Sequence, residues 1–142
     1  MKKILNLTTA FLLVFVCVMS LASCGNTVDA KGLWEKAEYL KDTEFGEGAK
    51  TLVVKVKVEE QSVTFTINTD KETVGEALLE HKLIAGENGD YGMYIKSVNG
   101  ITADYDKNKS YWAFYADGKY ASSGVDTTKI DEKVTYSLEY TK

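Results

Sequence analysis

Few residues of this chain have side chains that could serve as a cysteine nucleophile or as a histidine or cysteine ligand of zinc. The only histidine is His81, and the two cysteines, Cys17 and Cys24, both lie in the first 24 residues. A single histidine cannot build a zinc site, and a nucleophilic cysteine or serine needs a neighbouring base. The sequence also contains no Gly-rich phosphate loop and no Gly-x-Ser-x-Gly elbow. We therefore expect a protein that is not an enzyme, with no catalytic residue, no metal ligand and no required cofactor.

One acidic segment imitates the start of a calcium-binding loop. Asp104, Asp106 and Asn108 stand at alternate positions and could offer oxygen ligands to a hard cation. The pattern then fails, because Lys109 replaces the glycine of the sixth position and Tyr115 replaces the glutamate of the twelfth. The segment is more typical of a solvated turn.

The most informative stretch is aromatic and runs from Ser110 to Gly118. Aromatic residues favour strands, and the Asp117-Gly118 dipeptide favours a tight turn after the strand. Alternation places Tyr111 and Ala113 on one face of this strand and Trp112 and Phe114 on the other. A strand with two such faces either lies between layers of the protein or uses one face to bind something.

The composition excludes one broad class of partner. All 17 basic residues are lysines, and the net charge of the chain is −4. Without arginine there is no bidentate group for phosphate or guanine, and the net negative charge repels nucleic acid. The length of 142 residues indicates one folded domain.

The N-terminus has the features of a secretory signal. Met1-Lys2-Lys3 precedes a mostly apolar run whose unbroken part, residues 10–19, is shorter than the ~20 residues that span a bilayer. The run ends in Leu21-Ala22-Ser23-Cys24, which resembles the lipobox of bacterial lipoproteins. We predict that residues 1–23 are a signal peptide and that Cys24 is the site of lipid attachment. The alternative is an ordinary signal peptide followed by an incidental cysteine.

Cleavage at this position would leave an acidic protein on the bacterial cell surface. Losing Lys2 and Lys3 leaves 17 − 2 = 15 lysines against 21 acidic residues, a net charge of −6. The predicted location is the outer face of the cytoplasmic membrane, with the N-terminal lipid as the only membrane contact. Residues 24–48 are interpreted as a spacer with a marginal helix around Trp34, although Trp34 could instead dock on the domain.

The folded domain is predicted to occupy residues 49–142. Apolar residues alternate over 52–58 and again over 63–67, which predicts an opening β-hairpin. Thr73 and Glu76 have the spacing of a capping box and predict a helix. Asn99-Gly100 predicts a second hairpin, and residues 134–140 a last strand. The predicted class is α+β, mainly antiparallel β-hairpins with one helix packed on the sheet, in a β-grasp-like arrangement.

Three of these segments together resemble a known family. They are residues 94–101 (YIKSVNGI), 110–114 (SYWAF) and 124–126 (GVD). They are similar to the C-terminal domain of transcobalamin and intrinsic factor and to the transcobalamin-like DUF4430 domain of bacterial surface lipoproteins. The resemblance covers about residues 50–141 and implies a β-rich fold with one helix.

The resemblance also implies a ligand and its contact residues. In the animal carriers this domain closes over cobalamin, and a Tyr-Trp-Gln run contacts the ligand. That run falls on Tyr111, Trp112 and Ala113, and Ala113 departs from it because alanine cannot supply an amide. The helical barrel that forms the other half of the carriers' site has no counterpart here.

Two functions and one structural interpretation follow for the aromatic strand. The first function is a surface module that binds a corrinoid such as cobalamin, or a similar flat ligand, on Tyr111, Trp112 and neighbouring tyrosines. The second is an adhesion-type domain that binds a protein or a cell-wall polymer and no small molecule. In the structural interpretation the aromatic residues belong to the core.

Overall fold

The computed structural model describes residues 25–142. The predicted signal peptide, residues 1–23, and the predicted lipid-attachment site Cys24 lie outside the described residues. The elements in chain order are a 3-10 turn (Gly32–Lys36), β1 (Thr43–Phe45), β2 (Lys50–Val58), β3 (Gln61–Thr69), α1 (Val74–Glu80), β4 (Ile84–Gly89), β5 (Gly92–Val98), β6 (Ile101–Thr102), α2 (Tyr105–Asn108), β7 (Tyr111–Ala116), β8 (Lys119–Tyr120) and β9 (Thr135–Thr141).

Six strands form the larger sheet, in the order β1-β3-β2-β9-β7-β8. The predicted hairpin of β2 and β3 is antiparallel over nine residue pairs. Strands β1 and β9 instead pair in parallel with β3 and β2. One face of the sheet is apolar because every second residue of its strands is apolar and alternate residues share a face. In β2 these are Leu52, Val54, Val56 and Val58, whose side chains are fully buried.

The smaller sheet contains β4, β5 and β6. Its β5–β6 turn is the predicted Asn99-Gly100 pair, and both residues have positive φ angles (51° and 78°), as a tight hairpin turn requires. Asn99 is fully buried, and its side-chain amide makes two hydrogen bonds, both of 2.9 Å, with the backbone N–H and C=O of Tyr39. The turn therefore also fixes the N-terminal part of the chain.

Helix α1 begins at the predicted capping box. The Thr73 hydroxyl accepts a hydrogen bond from the backbone N–H of Glu76, and the Glu76 carboxylate accepts one from the backbone N–H of Thr73. Val74, Ala77 and Leu78 bury one side of the helix in the core. The α+β class, with one helix of seven residues packed against mainly antiparallel strands, is confirmed.

The N-terminal segment differs from the predicted spacer. Trp34 is only 2% exposed, and its indole N–H points at the carbonyl oxygen of Val58 at 3.4 Å. Phe45 extends the larger sheet in β1 and contacts Phe65 and Tyr39 edge-to-face. For residues 25–48, the part that the structure describes, the spacer interpretation was wrong, because Trp34 docks on the domain and β1 joins the larger sheet. The short helix predicted around Trp34 is present as the 3-10 turn. The helical spacing of the apolar residues around Trp34 predicts the short helix, but it does not decide whether that helix packs on the domain.

Between residues 25 and 142 no helix has the length and apolar content needed to cross a membrane.

We predict that the N-terminal segment is required for stability. Trp34→Ala should lower the free energy of unfolding by about 3–5 kcal/mol, because it removes a fully buried aromatic side chain. Glu35→Ala, an exposed neighbour, is the control and should change it by less than about 0.5 kcal/mol. Urea denaturation followed by circular dichroism measures both. A fragment that starts at Ala49 and unfolds with the stability of the longer protein would contradict this assignment.

The capping box predicts a dependence of stability on pH. Hydrogen bonds from the backbone N–H groups of Thr73 and Glu72 lower the pKa of the Glu76 carboxyl from its ordinary value of 4.5. A lowered pKa stabilises the fold above that value, and this contribution is lost as the pH falls through the pKa of the folded state. Glu76→Ala should therefore reduce the melting temperature at pH 7, and the reduction should shrink below about pH 4.5. A reduction that is constant from pH 7 to pH 3 would show that the carboxylate does not act as the cap.

Candidate ligand-binding groove

Strand β7 presents its residues as the alternation predicts. Trp112 and Phe114 lie opposite Tyr140 and Leu138 of β9, on the apolar face of the larger sheet. Tyr111 and Ala113 lie opposite Thr141 and Glu139 on the other face. The strand thus contributes to the core with one face, while Tyr111 and Tyr115 remain partly exposed on the other.

Trp112 connects the two sheets. Its side chain is 7% exposed, and its indole N–H donates a hydrogen bond of 3.1 Å to the carbonyl oxygen of Ile101 in β6. The indole ring also packs edge-to-face on Tyr140, with 5.6 Å between the ring centroids. Trp112 is therefore mainly a core residue that holds β6 of the smaller sheet against β7.

Two surface cavities meet at this junction, and both are lined by Tyr94 and Tyr111. The first has a volume of about 640 Å³ and is lined by Tyr94, Lys96, Thr102, Ala103, Asp104, Tyr105, Asp106 and Tyr111. The second, of about 380 Å³, is lined by Tyr91, Met93, Tyr94, Ile95, Tyr111, Trp112, Phe114 and residues 120–125. We call the two cavities together the aromatic groove.

The two cavities differ in charge. Among residues 25–142, none that lines the second cavity is charged. In the first, the Lys96 ammonium donates a 2.9 Å hydrogen bond to the Glu87 carboxylate, which raises the pKa of Lys96. Asp104 caps helix α2 by accepting from the backbone N–H groups of Asp106 and Lys107. Lys96 and Asp104 therefore already have partners, and the remaining charged residue of the first cavity, Asp106, is exposed. The two residues that both cavities share are Tyr94 and Tyr111, so we take the aromatic surfaces as the main binding element of the groove.

The groove also contains an open strand edge. The carbonyl of Phe114 points away from β9 and accepts a hydrogen bond from the N–H of Ala121, so the backbone groups of Trp112, two residues earlier, point the same way. Strand β8 pairs only with Tyr115 and Ala116. Within residues 25–142, the backbone N–H and C=O of Trp112 have no backbone partner on this side.

The structure brings together two of the three residues that the family resemblance implies. Tyr111 lines both cavities and Trp112 lines the second. Ala113 is 1% exposed and lines neither cavity, so its side chain is not available to a ligand in the groove.

Sequence reasoning missed the aromatic residues that other elements contribute. Tyr94 comes from β5, Tyr105 from α2, and Tyr91 from the β4–β5 turn, where its side chain is fully exposed. Tyr94 lies in the strand before the predicted Asn99-Gly100 turn, and a single tyrosine in a strand does not indicate a ligand contact. Only the packing of β5 beside β7 places Tyr94 next to Tyr111.

The calcium-like segment is a capped turn in the structure. Asp104 serves as the helix cap, and the Asn108 side chain accepts hydrogen bonds from the backbone and hydroxyl of Ser110. Among residues 25–142 no three His, Cys, Asp or Glu side chains are placed to hold one metal ion.

Two solved structures are similar to this fold. A Ruminococcus gnavus ATCC 29149 protein, described as a candidate metal-binding protein, is 27% identical, with a TM-score of 0.62 over 66% of this chain and 98% of its own. Haptocorrin, solved in complex with Cbi, is 17% identical, with a TM-score of 0.51 over 69% of this chain. The match spans only 26% of haptocorrin, and at this identity it shows the fold alone.

No curated protein matches the sequence significantly. Residues 71–142, half of the chain, match the domain of unknown function DUF4430, and this range contains α1, the smaller sheet and every residue of the aromatic groove. The chain therefore belongs to the DUF4430 family and has a fold of the transcobalamin type.

Proposed function

We propose that this protein is a non-enzymatic binding module that holds a corrinoid, such as cobalamin, in the aromatic groove. The observation that carries the proposal is the position of Tyr94 and Tyr111, which line both cavities at the junction of the two sheets. Tyrosine rings offer flat apolar faces with a hydroxyl at one end. Such a surface suits a broad macrocycle whose rim carries polar amides.

Haptocorrin supports the corrinoid as the ligand, because haptocorrin, part of which has a similar fold, was solved in a complex with Cbi, a cobalamin analogue. The match covers 26% of haptocorrin, so most of that protein has no counterpart in this chain. The groove is open to solvent and would cover one side of a corrinoid. We therefore expect weak binding by the isolated domain.

The Ruminococcus gnavus protein supports a binding module in a different way. It is described as a candidate metal-binding protein and matches this chain over nearly its whole length. A corrinoid carries its own cobalt, so a corrinoid site needs no metal-ligand cluster from the protein. The absence of such a cluster among residues 25–142 is therefore compatible with a corrinoid and gives no support to direct binding of a metal ion.

A second candidate function is binding of a protein partner, and the open edge of β7 favours it. The unpaired backbone groups of Trp112 could pair with an extended peptide, as other proteins do at exposed sheet edges. Tyr91 and Tyr120 at the rim are 101% and 68% exposed and would contact such a partner. A cell-wall polymer would use the same aromatic surface.

The location is also a proposal. The lipobox-like ending at Cys24 supports a mature protein that is anchored by an N-terminal lipid to the outer face of the bacterial cytoplasmic membrane. The groove would then collect its ligand at the cell surface.

We predict that the corrinoid contacts Tyr94 and Tyr111. A protein comprising residues 25–142 should bind cobinamide or cobalamin in isothermal titration calorimetry. Tyr111→Ala and Tyr94→Ala should each weaken binding about tenfold or more, since central aromatic contacts usually contribute at least ~1–2 kcal/mol. Trp112→Ala should instead destabilise the fold by about 3–5 kcal/mol, because Trp112 is buried.

Leu79→Ala is the control for this series, because Leu79 is 46% exposed on α1 and lines neither cavity. It should leave both stability and binding unchanged. The corrinoid proposal is wrong if the folded protein shows no binding at millimolar corrinoid. Binding that survives both tyrosine substitutions would place the site elsewhere.

We predict that Cys24 carries the anchor. Cys24→Ala should abolish metabolic labelling by a fatty acid and leave the protein either unprocessed or released into the medium. Cys17→Ala, which removes the other cysteine and keeps the lipobox-like ending intact, is the matched control and should still be labelled. A Cys24→Ala variant that is processed normally and remains lipid-labelled would refute the anchor.

A further inference from the structure

The chain is fixed to the domain immediately after the predicted lipid-attachment site. The backbone N–H of Asn26 donates to the Asp42 carboxylate at 3.0 Å, and the Asn26 side-chain amide donates to the carbonyl of Ser62. Two residues later, Val28 is 5% exposed and its N–H donates to the carbonyl of Leu40 at 2.7 Å. No flexible spacer therefore separates position 25 from the packed domain.

These contacts lie at one end of the larger sheet, which we call the base. The base includes the β2–β3 turn at Glu59 and Glu60, since Ser62 is the second residue of β3 after that turn. Strand β9 runs parallel to β2 and ends beside it, with Glu139 opposite Lys57. The first residue of β7, Tyr111, lies opposite Thr141 and belongs to the same end.

We infer that the base faces the bilayer and that the domain stands on the membrane in one orientation. The inference rests on the proposed lipid anchor at Cys24. Only Gly25 separates Cys24 from Asn26, and two residues of extended chain reach about 7 Å. The nine-residue strand β2 is about 30 Å long. A tether this short cannot let the opposite end of the sheet reach the membrane.

The side chains of the base fit a position at the level of the lipid headgroups. Tyr105 is 51% exposed, and the Lys109 ammonium lies 4.7 Å from the centre of its ring. Tyrosine and lysine are residues that sit at membrane–water interfaces. Glu59 and Glu60 add negative charge, so we expect the base to rest at the headgroups without inserting into the hydrocarbon.

This orientation gives the two cavities different surroundings. The first cavity, which contains Tyr105 and Tyr111, lies near the base and next to the bilayer. The second cavity extends to Tyr120, which pairs with Tyr115 further along β7. A water-soluble ligand would therefore enter from the side of the second cavity.

Fluorescent labels at the two ends of the sheet test the orientation. Once Cys24 is acylated, Glu60→Cys and Lys119→Cys each introduce one free thiol at an exposed position. Lys119 pairs with Ala116, Ala116 pairs with Tyr136, and Tyr136 pairs with Val54 of β2. Val54 precedes Glu60 by six residues, so positions 119 and 60 are about 20 Å apart along the strand direction. The acylated protein is reconstituted into phosphatidylcholine vesicles that contain a headgroup-labelled quencher lipid. We expect at least fivefold stronger quenching of the label at position 60 than of the label at position 119.

The matched control inserts twelve Gly and Ser residues between Gly25 and Asn26. Such a linker has a root-mean-square length of about 19 Å and should largely remove the difference between the two labels. Equal quenching of both labels without the insert would overturn the orientation while leaving the anchor intact. Failure of the mature protein to bind vesicles would overturn the anchor and the orientation together. Neither result affects corrinoid binding, which is measured on residues 25–142 in solution.

Discussion

The hydrogen bond from the Trp112 indole to the Ile101 carbonyl is the contact on which the arrangement of the groove depends. Within residues 25–142 no backbone ladder joins the two sheets, and this bond links a strand of one sheet directly to a strand of the other. Side-chain packing and the hydrogen bonds between Asn99 and Tyr39 supply the rest of the connection. An indole N–H left unpaired in the core would cost about 1–3 kcal/mol, which favours one relative position of β6 and β7. That position places Tyr94 and Tyr111 at the wall between the two cavities.

Trp112 therefore affects the groove mainly by holding β6 and β7 in position, since most of its side chain is buried. The family resemblance implies ligand contact by Tyr111 and Trp112, although alternation directs them to opposite faces of β7. The groove reconciles the two requirements, because it lies at the uncovered edge of β7, where side chains from both faces can reach one opening. Tyr111 presents a partly exposed ring there. Trp112 presents the part of its indole ring that lines the second cavity, together with its unpaired backbone N–H and C=O at the edge of β7.

The features that could be predicted from sequence are those that depend on local periodicity or turn chemistry. The alternation of Leu52, Val54 and Val56 predicts β2, and the Asn99-Gly100 pair predicts the β5–β6 turn. Contacts between distant residues left no such pattern. Strand β1 has three residues and pairs in parallel with β3, more than twenty positions away. Tyr94 joins the groove for the same kind of reason, through the packing of one sheet beside the other.

The most direct test of this account is an NMR titration of ¹⁵N-labelled residues 25–142 with cobinamide. We expect the largest shifts in the ¹H–¹⁵N spectrum on the backbone amides of Tyr94 and Tyr111. We also expect the Trp112 indole proton to exchange slowly with solvent in the free protein, because its hydrogen bond to Ile101 is buried. Shifts confined to residues outside the groove, or an indole proton that exchanges as fast as that of an exposed tryptophan, would contradict it.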